Sequence, residues 1–208
     1  MQNEFDKILE KVSSLYRRYG IKSVTMDDVA HELGMSKKTL YQYVNDKTEL
    51  VEKVVEHTRL CNFSSMNEMK DFSGNAIEML VEVSQRVNAL LKDHSPAYEY
   101  DLKKYYPDIF EGLKSAHRKM MYESMIANIR QGKKEGVYRK ELDEEIIAKL
   151  HLLRIEGIQS GDIFNEDEMR SSKFFLEVFI YHIHGMATAR GLEILEKNME
   201  KLKQLEAH

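Results

Sequence analysis

With Cys61 as its single cysteine, the sequence has no partner for an intrachain disulfide and no set of thiolates for a zinc site. That residue is expected as a small buried or half-buried hydrophobe. Prolines number 2 and glycines 10 in 208 residues, too few breakers for the many turns of a sandwich or barrel, so the composition leans all-helical. Long hydrophobic runs are missing as well. The longest uncharged stretch near the end, Val178 to Ala189, holds His182, His184, Gly185 and Thr188, and it falls short of the roughly 18 apolar residues of a membrane span. The polar start, Met1 to Lys7, lacks the apolar core of a signal peptide, and a cytoplasmic location is expected. What is present is ordinary globular material, 42% hydrophobic and 32% charged, enough for one medium domain or a small domain joined to a larger one. A net charge of -4 speaks against a nucleic-acid partner on overall balance. The first 60 residues are nevertheless close to neutral, which leaves room for a local basic face.

Apolar residues Phe5, Ile8, Leu9, Val12, Leu15, Tyr16 and Tyr19 recur at helical spacing and end at Gly20, a C-terminal cap. Thr25 before Met26-Asp27-Asp28 starts a short second helix that Gly34 closes. Ser36 caps a third helix of about two turns, Lys37 to Tyr43, with Leu40 and Val44 inward. Asn45-Asp46 caps a fourth, whose stripe runs Leu50, Val51, Val54, Val55, Thr58, Leu60. Three short helices with a Gly-Met-Ser turn between the second and third make a helix-turn-helix pattern. Beyond a polar bridge, Asn62 to Lys70, helical periodicity resumes from Phe72 to Leu91 and stops at His94-Ser95-Pro96, where Pro96 takes a first helical position. An aromatic segment, Tyr98 to Tyr106, ends at Pro107. Further helices are expected over about Asp108–Arg130, Asp143–Gly157 and Asp167–Thr188, with Gly132–Gly136 as a loop and a tail from Arg190 to about Gln204.

The late helix is apolar nearly all the way round through Phe174, Val178 and Tyr181, so it is expected to be covered on two sides. A second copy of the chain covers it most cheaply, with Gly185 and Ala189 allowing close approach, and a homodimer is the expected assembly; the alternative is a central helix wholly wrapped by its own domain. Enzyme motifs are missing: there is no Gly-x-Gly-x-x-Gly, Walker loop, Gly-x-Ser-x-Gly or His-Glu-x-x-His string. No metal site is expected, because His182 and His184, two apart, do not share a helix face. No cofactor is expected either.

The stretch Thr25 to Leu50 carries Thr, Asp-Val-Ala (residues 28–30), Gly-x-Ser (34–36), Thr-Leu-Tyr (39–41) and Asp-Lys-x-x-Leu (46–50) in order and without gaps. It resembles the DNA-binding segment of the TetR/AcrR transcriptional regulators. Val44 stands where that family usually has Phe, and Lys38 where it often has a small residue. The resemblance is strong over about a quarter of the chain and weaker in Gly132 to Leu142 and Gly185 to Leu192. It implies an N-terminal DNA-binding domain, residues 1–46, and a helical ligand-binding and dimerisation domain, residues 47–208.

Physical reading of the third helix gives the same role. A helix of about two turns led by Ser36 fits a major groove, where Gln42 pairs with adenine, the Thr39 methyl meets a thymine methyl, and Lys37 or Lys38 reaches guanine or phosphate. Tyr41 and Tyr43 are candidate phosphate contacts through their hydroxyls. The resemblance adds Thr25 and Lys47 as phosphate contacts beside helix N-termini. Simpler roles stand beside each: Thr25 and Ser36 as caps alone, Tyr41 and Tyr43 as core aromatics, Lys47 as a solvated cation. For the rest of the chain the resemblance implies a small-molecule effector whose binding changes the DNA-reading heads. Met79, Phe110, Met121, Met125, Phe175 and Phe179 are candidate apolar liners of its pocket, with His117, His151 and His182 as candidate polar ones. The expected function is a regulator of a palindromic double-stranded operator, a repressor released by an inducer. An activator is the near alternative; a helical enzyme or ligand carrier and a protein-interaction module are the distant ones.

Overall fold

The computed structural model describes residues 2–67, 72–92, 95–159, 163–165, 168 and 171–203. Within these the chain forms helices α1 (Gln2–Tyr19), α2 (Met26–Glu32), α3 (Lys37–Leu40), α4 (Lys47–Asn67), α5 (Ala76–Lys92) and α6 (Pro96–Tyr105). Next come α7 (Pro107–Glu135), α8 (Glu144–Gln159), α9 (Ser172–His184), α10 (Ala189–Lys197) and α11 (Met199–Lys203). An isolated antiparallel bridge joins Tyr138 to Ala187. The architecture is all-α. Two compact units divide the chain: Met1–Lys70 with Asp93–Ala116, and Asp71–Lys92 with His117–His208. The boundary expected at residue 46 thus falls inside the first unit, because α4 packs along α1.

In the first unit, Ile8, Leu9, Val12 and Tyr16 of α1 are buried with Val29 and Ala30 of α2, Leu40 and Val44 around α3, and Leu50, Val51, Val54 and Val55 of α4. Leu102 of α6 completes this core. Tyr19 leaves the expected stripe: it is exposed, with the Arg18 guanidinium 5.1 Å from its ring centroid. Leu60 is likewise exposed, since α4 at that point has run past the apolar partners that cover Leu50 to Val55. Cys61, expected to be at least half-buried, is exposed one helical turn from His57, its Sγ 3.8 Å from the ring nitrogens.

The second unit packs Ala76, Ile77 and Val81 of α5 against Met125 and Ile129 of α7, Ala148 of α8, Phe179 and Ile183 of α9 and Leu195 of α10. A buried polar node holds its centre. Asn128 donates from Nδ2 to the Ala76 carbonyl at 2.8 Å, and the Tyr138 hydroxyl donates to Asn128 Oδ1 at 3.0 Å. Such buried groups persist because each finds a partner.

Two helix ends differ from expectation. α7 continues through Gly132 to Glu135 in place of the loop expected from residue 132, and Gly136 then takes a positive φ, +72°. The Val137 N–H donates to the Gly132 carbonyl at 2.9 Å and the Gly136 N–H to the Lys133 carbonyl at 3.2 Å, the paired bonds of a glycine C-cap. Gly132 is small for another reason: a Cβ there would lie 2.1 Å from Tyr138 Cδ2. α9 stops at His184, short of Thr188, which instead caps α10 by accepting from the Gly191 N–H. Its expected start at Asp167 lies outside the described residues, as do the end of the tail at Gln204 and the last part of the bridge before residue 72.

Candidate nucleic-acid interface

Local chemistry fixes the helix-turn-helix. Thr25 accepts from the Asp28 N–H at 3.2 Å while the Thr25 N–H and hydroxyl donate to Asp28 Oδ2 at 2.7 and 2.6 Å, a reciprocal capping box. Those bonds hold the Asp28 carboxyl below its usual range, Thr25 being the main cause. At the other end of α2, Gly34 (φ +65°) receives the turn, with the Gly34 N–H on the His31 carbonyl and the Met35 N–H on the Ala30 carbonyl, both 3.0 Å. This is a second glycine cap of the kind that ends α7, and it turns the chain sharply into Ser36.

Ser36 caps α3, accepting from the Thr39 N–H at 3.0 Å, with the two hydroxyls 2.7 Å apart. α3 is four residues, shorter than the two turns expected. Its last turn tightens, the Gln42 N–H reaching the Thr39 carbonyl and the Tyr43 N–H the Leu40 carbonyl, so the curl continues as three-residue turns up to Tyr43. Leu40 is fully buried beneath it and Val44 nearly so, which anchors the segment.

The side chains sort by what they already touch. The side chains of Lys38 and Gln42 are exposed and make no hydrogen bond or ion pair among the described residues. Tyr41 is exposed, and Lys37 reaches Asp27 at 2.9 Å in an open ion pair. Thr39 is half-buried under the Ser36 cap. Tyr43 is half-buried and stacks on Phe5, ring centroids 5.2 Å apart and planes 4° from parallel. Lys47, at the start of α4, donates to the Ile21 carbonyl at 2.7 Å, tying α4 to the α1–α2 turn. Burial lowers its pKa, and Lys22 beside it adds to the lowering. Lys22 is a cation of this face that sequence reading passed over; its position three residues before Thr25 was the available signal. Asp46 caps α4 by accepting from the Glu49 N–H at 2.8 Å.

The residues expected at an effector pocket are spread more widely. Met125 and Phe179 are buried in the second unit, where Met79, Met121 and Phe175 are half-buried. Phe110 packs on the core of the first unit instead, and His117 is exposed. His151 and His182 are brought together across α8 and α9, Nδ1 to Nε2 at 3.1 Å, with Arg154 Nη2 at 3.0 Å from the same His151 nitrogen. Of the expected dimer face, Tyr181, Gly185 and Ala189 are exposed, while Phe174 and Val178 are half-buried. Sequence reading missed a second apolar stripe, Ile146, Leu150 and Leu153, on α8, all more than half exposed. Its spacing of four and three residues was legible. Among the described residues no helix is long and apolar enough to cross a membrane.

A capped helix, a glycine turn and a short exposed helix packed on the core that α1 and α4 share make a helix-turn-helix, the arrangement that DNA-binding proteins use. Residues 8–54 match the family model for bacterial regulatory proteins of the tetR family. Over 50 residues, 24% of this chain and 26% of the other, the sequence is 48% identical to YvaF, an HTH-type transcriptional regulator of Bacillus subtilis. The repressor KstR2 of Mycolicibacterium smegmatis is 22% identical over 153 residues, 69% of this chain and 72% of its own. In fold the chain is similar to a transcriptional regulator from Cytophaga hutchinsonii, TM-score 0.75 at 17% identity, over 89% of this chain and 99% of that one. The chain thus carries, over residues 8–54, a segment similar to the DNA-binding segment of tetR-family regulators, on a fold similar to that of a transcriptional regulator.

Proposed function

We propose that the chain represses transcription as a homodimer on a palindromic operator and is released by a small-molecule effector held in the second unit. The observation that carries the DNA half of this reading is the α3 segment, anchored by buried Leu40 while Lys38 and Gln42 stand exposed. In this reading Gln42 and Lys38 face base edges, with Thr39 beside them. Lys37, Tyr41, Tyr43, Thr25 and Lys47 hold the phosphates on either side, and Ser36 supports them as a cap. Phosphate contacts fix the register of the protein; base contacts choose the sequence.

The homodimer is supported by two apolar faces that the chain leaves open, Ile146, Leu150 and Leu153 of α8 and Tyr181 of α9, the last 80% exposed. Exposed apolar side chains grouped in this way favour an association site. Two-fold symmetry then sets two α3 segments about 34 Å, or a multiple of it, apart on one DNA face. The similarity to KstR2, a repressor, favours repression. A location in the cytoplasm accords with this role.

The reading is tested by selecting bound sequences from random duplex DNA with the purified chain and titrating the best site at two salt concentrations. An enriched palindrome bound by one dimer, with affinity falling steeply in salt, is expected. A folded dimer that enriches nothing overturns it.

A further inference from the structure

Inside the second unit, α8 and α9 trap a group of side chains that neither the fold nor the DNA interface uses. Arg154 donates from Nη1 to the Val178 carbonyl at 2.9 Å and from Nη2 to His151 Nδ1 at 3.0 Å, while its Nε is buried without a partner among the described residues. His182 Nε2 lies 3.1 Å from the same His151 nitrogen. Because arginine only donates, His151 Nδ1 is an acceptor, and His182 must therefore present its Nε2–H to it. All three side chains are half-buried. No carboxylate contacts the guanidinium among the described residues; Glu156, two positions on, is engaged by Arg118 at 2.6 Å.

A guanidinium kept from water is ordinarily matched by an anion, since a buried charge with only neutral acceptors carries a desolvation cost that nothing offsets. Here the acceptors are a helix carbonyl and an uncharged imidazole. Burial and the neighbouring Arg154 both push the histidine pKa values down, His151 to about 4, so the imidazoles are neutral at pH 7 and Arg154 supplies the charge. The side-on edge of the guanidinium, Nε–H with Nη2–H, is the fork that takes both oxygens of a carboxylate. One arm of it is empty and the other rests on an imidazole nitrogen. Around the group α8 carries Ile147, Ile155 and Ile158, and α9 carries Phe175, Val178 and Phe179, at helical spacing from it.

We propose that Arg154, with His151 and His182, is the receptor for a carboxylate at the end of an apolar effector. This rests on the reading that the second unit holds an effector, and names its chemical class. The carboxylate takes the Nε/Nη2 edge of Arg154, and an imidazole N–H released from the histidine pair donates to it.

The test uses the full-length chain with three probes of equal length, octanoate, octanol and octylamine, read by calorimetric titration and melting temperature. Octanoate is expected to bind about tenfold to a hundredfold more tightly than octanol, the contribution of charge-assisted hydrogen bonds, and octylamine not at all. Arg154→Met removes the preference, and Arg154→Lys, which keeps the charge without the fork, retains part of it. Equal affinity of wild type for octanoate and octanol overturns the proposal, whether or not the variants fold, and leaves an apolar effector site standing. Absence of octanoate binding overturns it too. So does an Arg154→Met chain that sediments as a monomer with unchanged octanoate binding, which makes the cluster a subunit contact. Operator release is measured separately: release by an uncharged compound alone refutes the carboxylate and keeps the effector reading, whereas failure of operator selection strikes the regulator reading itself.

Discussion

Gly132→Ala sets two physical effects against each other in one helix. Glycine inside a helix costs roughly 0.5–1 kcal/mol relative to alanine, so propensity alone predicts stabilisation. The added Cβ, however, would sit 2.1, 2.5 and 2.7 Å from three carbons of the Tyr138 ring. That ring is fully buried and its hydroxyl is held by Asn128, so it has no free direction in which to yield. Forcing a methyl group into a packed core costs about 1–3 kcal/mol, and contacts this short belong at the upper end. The net expectation is a loss of about 2 kcal/mol, or a fall of about 4–8 °C in melting temperature for a chain of this size. Gly112 of the same helix supplies the control, because a Cβ there meets nothing within 4 Å; Gly112→Ala should stabilise by up to about 1 kcal/mol. Both are measured by urea and thermal unfolding at one protein concentration, since assembly shifts apparent stability. Gly132→Ala at or above wild-type stability would refute the packing argument. A double variant with Tyr138→Leu, which clears the ring, should recover most of the loss.

Thr25→Ala removes the α2 capping box and should cost about 1 kcal/mol of stability, with DNA affinity falling as the start of α2 loosens; unchanged unfolding would show the box to be redundant. Lys47→Ala should weaken DNA binding on all sequences alike and lower the salt slope by about one, and an unaltered slope removes Lys47 from the phosphate contacts. Leu153→Glu should yield monomers by sedimentation and abolish tight binding to a two-half-site operator while leaving helix content intact. Stability should also fall on mild acidification. His151 and His182 have folded pKa values below 6.5, so the unfolded chain binds more protons, and stability present at pH 7 is lost as pH falls from about 6.5 toward 4. A flat profile over that window would show that the pair is not held neutral.

The stretch from Thr25 to Leu50 was readable because its determinants are local. Caps at Thr25, Ser36 and Asp46, and the turn at Gly34, are bonds between residues three to five apart, each written in the residue type that makes it. Leu40 and Val44 were placed inward from the same pattern and are buried. The length of α3 was not, because whether a turn closes as four-residue or three-residue bonds depends on the core beneath it. At Gly132 the letters pointed to a loop, and what holds the helix there is a tyrosine ring six residues on, folded back against it. The α8 stripe was hidden differently: Ile147, Leu152 and Ile155 on its other faces blur the period that Ile146, Leu150 and Leu153 keep.

Arg154 shows where such reading ends. In the sequence it is one arginine in an apolar helix, which usually means a long side chain reaching out to water. What sets it apart is a partner 24 residues away in Val178 and a histidine pair separated by 31 residues. Neither spacing has a local rule, since α8 and α9 meet only once the core of Ala148, Phe179 and Ile183 has closed. The DNA-reading half is a constellation of neighbours in sequence and so is legible in any one chain. The proposed effector site is assembled from distant residues, and an arginine with no acid against it among the described residues becomes visible only in three dimensions.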